Sequence, residues 1–82
     1  MSEDQEIIKI LEPYYREILD EPNLKLTREL TANDVENWDS LNHILLIIQC
    51  EEVLNIKFKA EELSDLINFG DFLDLIKRNR EQ

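Results

Sequence analysis

The sequence is poor in the residues that build tight turns and crosslinks. Its 82 residues include one glycine, two prolines and one cysteine. Two-residue β-hairpins rely on glycine or asparagine at positions with positive φ, so this shortage disfavours a sheet built from hairpins. A single cysteine excludes an intramolecular disulfide, and because Cys50 lies in an apolar run, we expect it to act as a small buried hydrophobe. These shortages favour a helical protein from a reducing compartment.

Basic charge and long hydrophobic runs are also scarce. Nine Lys and Arg residues stand against nineteen Asp and Glu, which gives a net charge of −10. Such a field repels phosphate backbones and anionic lipid headgroups and attracts basic protein surfaces, so nucleic acid is not an expected partner. The longest aliphatic run, 44–48, is too short to span a bilayer, and the acidic start is unlike a signal peptide. We expect a cytoplasmic monomer with one domain, 1–82, and no membrane span.

The first half of the chain divides into a periodic and an aperiodic segment. Apolar residues recur at spacings of three and four over 2–20, which predicts a first helix. Pro13 lies inside this pattern, where it removes a backbone donor and predicts a kink or a restart. Residues 21–38 lose the periodicity and contain proline, asparagine and threonine, so they predict a long ordered loop with room for one helical turn.

A second helix is predicted over 40–54, with Asp39 as its N-cap, and it is apolar nearly all round. Three of its residues are expected to face the core: Ile44, Ile47 and Leu54. Three others are expected to form an outward stripe beside Ser40: Leu41, Leu45 and Ile48. The alternative is a central helix that is buried on every side.

Two further helices complete the predicted fold. A connector over 55–59 leads to a short helix over 60–66, in which Leu63 and Leu66 face inward. Asn68 is suited to cap a last helix over 69–78, whose inward stripe is Phe69, Phe72, Leu73 and Ile76. Basic residues near its end suit the negative pole of the helix dipole. The sequence thus predicts an all-α fold, a small bundle of three longer helices and one short helix.

Ser40 is the residue whose role needs explaining, because it lies between an acid and a leucine directly before the most apolar helix. The simplest interpretation is that Asp39 and Ser40 only start a helix. A second makes Ser40 a nucleophile with His43 as its base, since residues three apart on a helix are neighbours. No glycine-rich elbow precedes Ser40 and no oxyanion hole is evident, so we predict no catalytic residue and no metal site.

A third interpretation rests on three motifs in their order along the chain: WDSL at 38–41, EEVLNI at 51–56 and NFGD at 68–71. Over about residues 5–78 this arrangement resembles an acyl carrier protein. In that family the serine carries 4′-phosphopantetheine, taken from coenzyme A, through a phosphodiester, and the matching residue is Ser40. The resemblance implies a carrier that is not an enzyme and that holds an acyl or aminoacyl group as a thioester. It also implies that Asp39 contributes to transferase recognition.

The resemblance implies several enzyme partners: a phosphopantetheinyl transferase, a loading ligase and downstream transferases. Carriers of fatty acid synthesis often have acids two and five positions after the serine, where this chain has Asn42 and Leu45, so different partners are expected, such as a dedicated adenylating ligase or an acyltransferase. The residues expected to bind partners are Leu41, Leu45, Ile48 and Glu52. The acids Glu51, Glu52, Glu61 and Glu62 either contact basic partners or only solvate the helices. An aminoacyl or peptidyl carrier, including a D-alanyl type, and an unmodified interaction module remain alternatives.

Overall fold

A computed structural model describes residues 2–80 of the chain. It contains four α-helices: α1 Glu3–Ile18, α2 Ser40–Leu54, α3 Ala60–Ser64 and α4 Phe69–Arg80. A 3₁₀ turn, Ala32–Asp34, lies in the long loop between α1 and α2. Within 2–80 there is no strand, and the predicted all-α fold with three longer helices and one short helix is confirmed. None of the helices in this part of the chain is long and apolar enough to cross a membrane.

Helix α1 is anchored by a polar cap and an apolar face. Ser2 accepts a hydrogen bond from the backbone N–H of Gln5 at 3.2 Å, which satisfies one of the free donors of the first turn. The buried residues of α1 follow at intervals of four: Ile7, Leu11 and Tyr15. The helix runs through Pro13 as one element, so the restart that Pro13 predicted is absent. It ends at Ile18, two residues before the predicted end.

Helix α2 begins and ends as predicted. Its last turn closes on Asn55, which adopts the left-handed conformation with φ 55° and ψ 48° and donates its backbone N–H to the carbonyl of Glu51. Asp20, after the end of α1, also has a φ of 55°. Glycine is the usual residue at such helix ends, and asparagine and aspartate tolerate the same conformation. A chain with one glycine therefore uses Asn55 and Asp20 there.

The last two helices differ from prediction only at their ends. Helix α3 stops at Ser64 instead of residue 66, and α4 continues to Arg80 instead of 78. Asn68 caps α4 as predicted, because its Oδ1 accepts the backbone N–H of Asp71 at 2.9 Å. The predicted inward stripe of α4 is buried, and Leu75 joins it. Leu63 and Leu66 are half-buried against the core.

The long loop between α1 and α2 packs into the core and forms backbone hydrogen bonds with α4. Leu26 and Val35 are buried in the core. The loop backbone also pairs with the start of α4: Phe69 donates its N–H to the carbonyl of Leu30 at 2.8 Å, and Gly70 donates to Arg28 at 2.9 Å. These contacts make the loop an ordered part of the fold, and it leads directly to Ser40.

Charged groups fasten the same loop to both terminal helices. Arg28 pairs with Asp4 of α1 at 2.8 Å and with Asp74 of α4 at 2.8 Å. Lys77 of α4 also pairs with Asp4. The hydrogen bond from Lys77, aided by Arg28, holds the pKa of Asp4 below its usual value despite the opposing effect of burial. The ion pairs of Arg28 therefore attach the loop to α1 and to α4.

Candidate functional site

Ser40 occupies the first position of α2 and is exposed. Asp39 precedes it in an extended conformation, and its Oδ1 accepts the backbone N–H of Asn42 at 2.8 Å. The predicted cap is thus present. Because the 15-residue helix directs its free N–H groups and the positive end of its dipole toward this point, a negatively charged group on Ser40 would be stabilised there. An exposed serine in this place suits a phosphodiester.

Two hydrogen bonds cross over Ser40 from the loop to the helix. Asn42 Nδ2 donates to the carbonyl of Asn37 at 2.7 Å, and Trp38 Nε1 donates to His43 Nδ1 at 3.1 Å. Each joins residues five apart, with one residue before the helix start and the other in its first turn. Sequence reasoning missed both contacts, because a spacing of five residues between a loop and a helix matches neither the helical nor the strand period. These two hydrogen bonds therefore connect the residues before Ser40 to the residues after it.

The contacts of His43 bear on the alternative of a serine nucleophile with a histidine base. Its Nδ1 accepts the indole N–H of Trp38, and the two rings stack with their centroids 6.3 Å apart. Trp38 in turn packs edge-on against Tyr15, with centroids 5.7 Å apart. His43 is thus half-buried as part of an aromatic contact that joins α2 to α1. Its role in this geometry is structural, which leaves the alternative without support.

The outward stripe predicted on α2 is exposed. The exposed fractions are 66% for Leu41, 43% for Leu45 and 53% for Ile48, against 9% for the buried Ile47. Ile44, which was predicted to face the core, is 55% exposed, so that prediction is wrong. The buried side is set by Leu46, Ile47 and Cys50, and Ile44 lies opposite it, one turn from Ile48. Because apolar residues occur on nearly all sides of α2, hydrophobicity alone could not show which arc of the helix meets the core.

We call the four exposed apolar residues of α2 the outer stripe: Leu41, Ile44, Leu45 and Ile48. Glu52 is exposed one turn beyond Ile48 and extends the stripe with an acid. Two of the other predicted acids have structural roles, since Glu51 accepts the N–H of Phe58 at 2.9 Å and Glu62 accepts that of Lys59 at 3.0 Å. Glu61 is exposed on α3.

A small cavity of about 110 Å³ lies beneath the contact of Trp38 and His43. Its walls are mostly apolar and aromatic, and they come from all the longer helices, the long loop and the α3–α4 segment. They include Tyr15, Leu30, Ile47, Leu66, Phe69 and Phe72. Such a lining can take up an apolar group by burial but offers little to bind an ion.

The arrangement defines a class of protein: a small helical domain that presents one serine at a helix start, beside an exposed apolar helix face. Comparison with protein-family models and with curated proteins gave no match. Among solved structures, the chain is similar to the solution NMR structure of a holo acyl carrier protein from Geobacter metallireducens. The two share 40% sequence identity and a TM-score of 0.84 over 92% of this chain and 86% of that one. This chain belongs to the acyl carrier protein family.

Proposed function

We propose that this protein carries acyl or aminoacyl groups on a 4′-phosphopantetheine attached to Ser40. The observation that carries the proposal is the exposed Ser40 at the N-terminus of α2, in a chain 40% identical to a holo acyl carrier protein. When bound, the group supplies a terminal thiol on a flexible arm, where a thioester holds the cargo. The chain's own residues present the attachment oxygen, cap the helix and stabilise the negative charge.

The carrier does not need catalytic side chains for this role. Partner enzymes load, alter and unload the cargo, while the tether replaces diffusion of a free thioester with a high effective concentration. The expected partners are a phosphopantetheinyl transferase, a ligase that loads the cargo and the transferases that follow. We expect Asp39 to serve both as the helix cap and as a recognition group for the phosphopantetheinyl transferase, because it is exposed directly before Ser40.

Intact-protein mass spectrometry tests the attachment. The wild-type chain is incubated with coenzyme A, Mg²⁺ and a broad-specificity phosphopantetheinyl transferase, and we expect one added phosphopantetheinyl group. Ser40→Ala should abolish it, and Ser64→Ala is the matched control, because Ser64 is also exposed on a helix. A folded wild type that gains no mass, or that is modified on Ser64, would favour an unmodified interaction module with the same fold.

We also propose that the outer stripe docks partner enzymes through an apolar contact with a basic rim. Four neighbouring large apolar side chains are exposed to water on one face of α2. A single exposed apolar side chain is ordinary on a protein surface, whereas a contiguous group of them indicates a binding surface. The net charge of −10 favours basic partners and speeds their approach. Glu52, at the end of the stripe, is placed to meet a basic residue on the partner.

Steady-state kinetics of the phosphopantetheinyl transferase test the docking surface. Leu45→Glu should raise KM for the carrier about tenfold, since removing a central interface residue costs more than about 1 kcal/mol. Ile10→Glu is the matched control, because Ile10 is 41% exposed on α1, close to the 43% of Leu45. Equal effects of the two variants would assign the loss to general charge and would contradict docking on the stripe.

A further inference from the structure

The segment before Ser40 is held by two side-chain hydrogen bonds. Asn37 Nδ2 donates to the carbonyl of Leu19, at the end of α1, at 2.9 Å. Asn42 Nδ2, in the first turn of α2, donates to the carbonyl of Asn37 at 2.7 Å. We call these two contacts the asparagine bridge. Through Asn37, the bridge connects the end of α1 to the start of α2, and Asp39 and Ser40 lie between its two asparagines in the sequence.

The carbonyl of Asn37 is the centre of this bridge. Besides the side chain of Asn42, it accepts the backbone N–H of Asp39 at 3.0 Å. The N–H of Trp38 belongs to the same peptide group as this carbonyl and donates to the carbonyl of Val35 at 3.1 Å, so three hydrogen bonds fix the peptide plane between Asn37 and Trp38. The backbone that leads into Ser40 therefore has little freedom, and the direction of the Ser40 Cα–Cβ bond, which carries the hydroxyl, is restricted with it.

Other contacts already supply the stability that the bridge could add. The first turn of α2 is capped by Asp39, whose carboxylate accepts the backbone N–H of Asn42. The loop is anchored in the core by Leu26 and Val35, while Asn37 is exposed and Asn42 is half-buried. Exposed polar side chains away from the core contribute little to stability. The main effect of the bridge is thus local, on the conformation of the residues next to Ser40.

We propose that Asn37 and Asn42 are positioning residues for the modification of Ser40: the asparagine bridge holds the backbone at Ser40, and with it the Cα–Cβ bond that carries the hydroxyl, in the orientation that the phosphopantetheinyl transferase uses. This inference rests on the proposed function. Correct orientation of a reacting group is worth large factors in rate, and a displacement of about 1 Å costs up to about a hundredfold. In the transfer, the Ser40 oxygen forms the new bond to phosphorus, the phosphoanhydride bond of coenzyme A breaks with release of adenosine 3′,5′-bisphosphate, and the hydroxyl proton passes to a base of the transferase.

The contact needs a side chain at position 42 that can donate a hydrogen bond, and alanine cannot. Asn42→Ala therefore breaks the bridge and adds no charge beside Ser40. It leaves the backbone N–H of residue 42 free to bond with Asp39. Asn37→Ala removes the other half, the contact with Leu19. Asn23→Ala is the matched control, since Asn23 is an exposed asparagine of the same loop.

The test is transferase kinetics with each folded variant, with kcat and KM for the carrier measured separately. Both bridge variants should lower kcat about tenfold with KM within twofold of wild type, whereas Asn23→Ala should match wild type. Docking variants such as Leu45→Glu should instead change KM. Wild-type kcat in both bridge variants, or a change in KM alone, would overturn the positioning role.

A second measurement applies if a bridge variant is too unstable for kinetics. Backbone ¹⁵N relaxation of the unmodified wild type should show residues 37–41 as rigid as α2, and Asn42→Ala should increase their motion at temperatures where α2 remains folded. A mobile segment in the wild type would contradict the inference. Failure of the wild type to accept the group at all would instead refute the proposed function, so the two failures are distinguishable.

Discussion

Cys50 shows how burial dominates the chemistry of one side chain. The thiol lies in the core beneath α2, 1% exposed, and burial raises its pKa to about 12. Burial likewise raises the pKa of Tyr15 well above its usual value, with a further contribution from the neighbouring Cys50. Both groups therefore stay neutral at physiological pH. The prediction from sequence that Cys50 acts as a small hydrophobe is consistent with this environment.

The raised pKa predicts a slow reaction of Cys50 with thiol reagents. A change from the ordinary 9.0 to about 12 lowers the thiolate fraction at pH 8 about a thousand-fold, and thiolate is the reactive form. We expect labelling by iodoacetamide to be at least a hundredfold slower in the native protein than in urea. Native labelling at the rate of the unfolded chain would mean that the helices open frequently around Cys50.

The same shift predicts a loss of stability in alkali. In the unfolded chain the thiol ionises near its ordinary pKa of 9.0, whereas in the folded protein it stays protonated to about 12. Its contribution is therefore complete below about pH 9 and is lost as the pH rises toward 12. Tyr15 acts in the same direction. Thermal melts from pH 8 to 11 should show a falling Tm, with a shallower fall in Cys50→Ala; equal slopes would exclude Cys50 as a cause.

Gly70 is the single glycine of the chain, and the close approach of the long loop explains it. A Cβ at this position would lie 3.0 Å from both the Cβ and the carbonyl oxygen of Arg28. Arg28 is fixed there, because its carbonyl accepts the N–H of Gly70 and its side chain pairs with Asp4 and Asp74. The loop and α4 can meet this closely only when position 70 lacks a side chain.

Gly70→Ala should accordingly destabilise the protein, although Gly→Ala within a helix usually stabilises. The helical preference of alanine favours the variant by at most about 1 kcal/mol, less in a first turn. The crowding against Arg28 costs about 1–3 kcal/mol. We expect a net loss of about 1 kcal/mol in urea unfolding. A gain in stability would show that the loop moves aside easily.

At the scale of the helix, α2 shows what sequence can and cannot predict. Both of its ends were predictable, since Asp39 is a strong N-cap and apolar residues recur as far as Leu54. Its buried arc was not, because an apolar helix gives no contrast between its faces, and Ile44 was assigned to the wrong side. The five-residue α3 has little more than one turn, which is too short to show a helical period, so the sequence did not fix where it ends.

In the candidate site, too, some features could be predicted from the sequence and others could not. Ser40 and Asp39 were found by motif and by cap chemistry. The contacts of Asn42 with Asn37 and of Trp38 with His43 join loop to helix across five residues, and Arg28 reaches Asp74 across forty-six. Sequence patterns report the period of one regular element, so contacts between a loop and a helix leave no signal in them.

The cap of α2 can be tested separately from the modification. Asp39→Ala should lower the free energy of unfolding by about 1 kcal/mol, because the N–H of Asn42 loses its acceptor. Asp39→Asn should retain most of the stability, since asparagine is an equally good cap. If Asp39 also serves transferase recognition through its charge, Asp39→Asn should still be modified slowly. Equal stability of the Asp39→Ala variant and the wild type by urea unfolding would contradict the capping role.

For the whole molecule, the decisive quantity is a net charge of −10 on a domain of about 34 × 30 × 22 Å. The Debye length is about 30 Å in 0.01 M salt, so every pair of charges in the protein interacts there, and most of those pairs repel. In 0.15 M salt the Debye length falls to about 8 Å, and only neighbouring charges still interact. Salt therefore removes the long-range repulsion first.

The opposing effect is local, because salt also weakens the ion pairs that hold Arg28 and Lys77 to Asp4 and Asp74. These pairs are close and partly exposed, and exposed pairs contribute little to stability. The long-range repulsion among an excess of ten negative charges should outweigh them, so we expect Tm to rise as sodium chloride increases from about 0.01 to about 0.15 M. Arg28→Gln is the control, since the loss of its pairs should leave a steeper rise with salt. A Tm that is flat or falls in the wild type would mean that the ion pairs around Arg28 dominate, and that the acidic surface is already compensated locally.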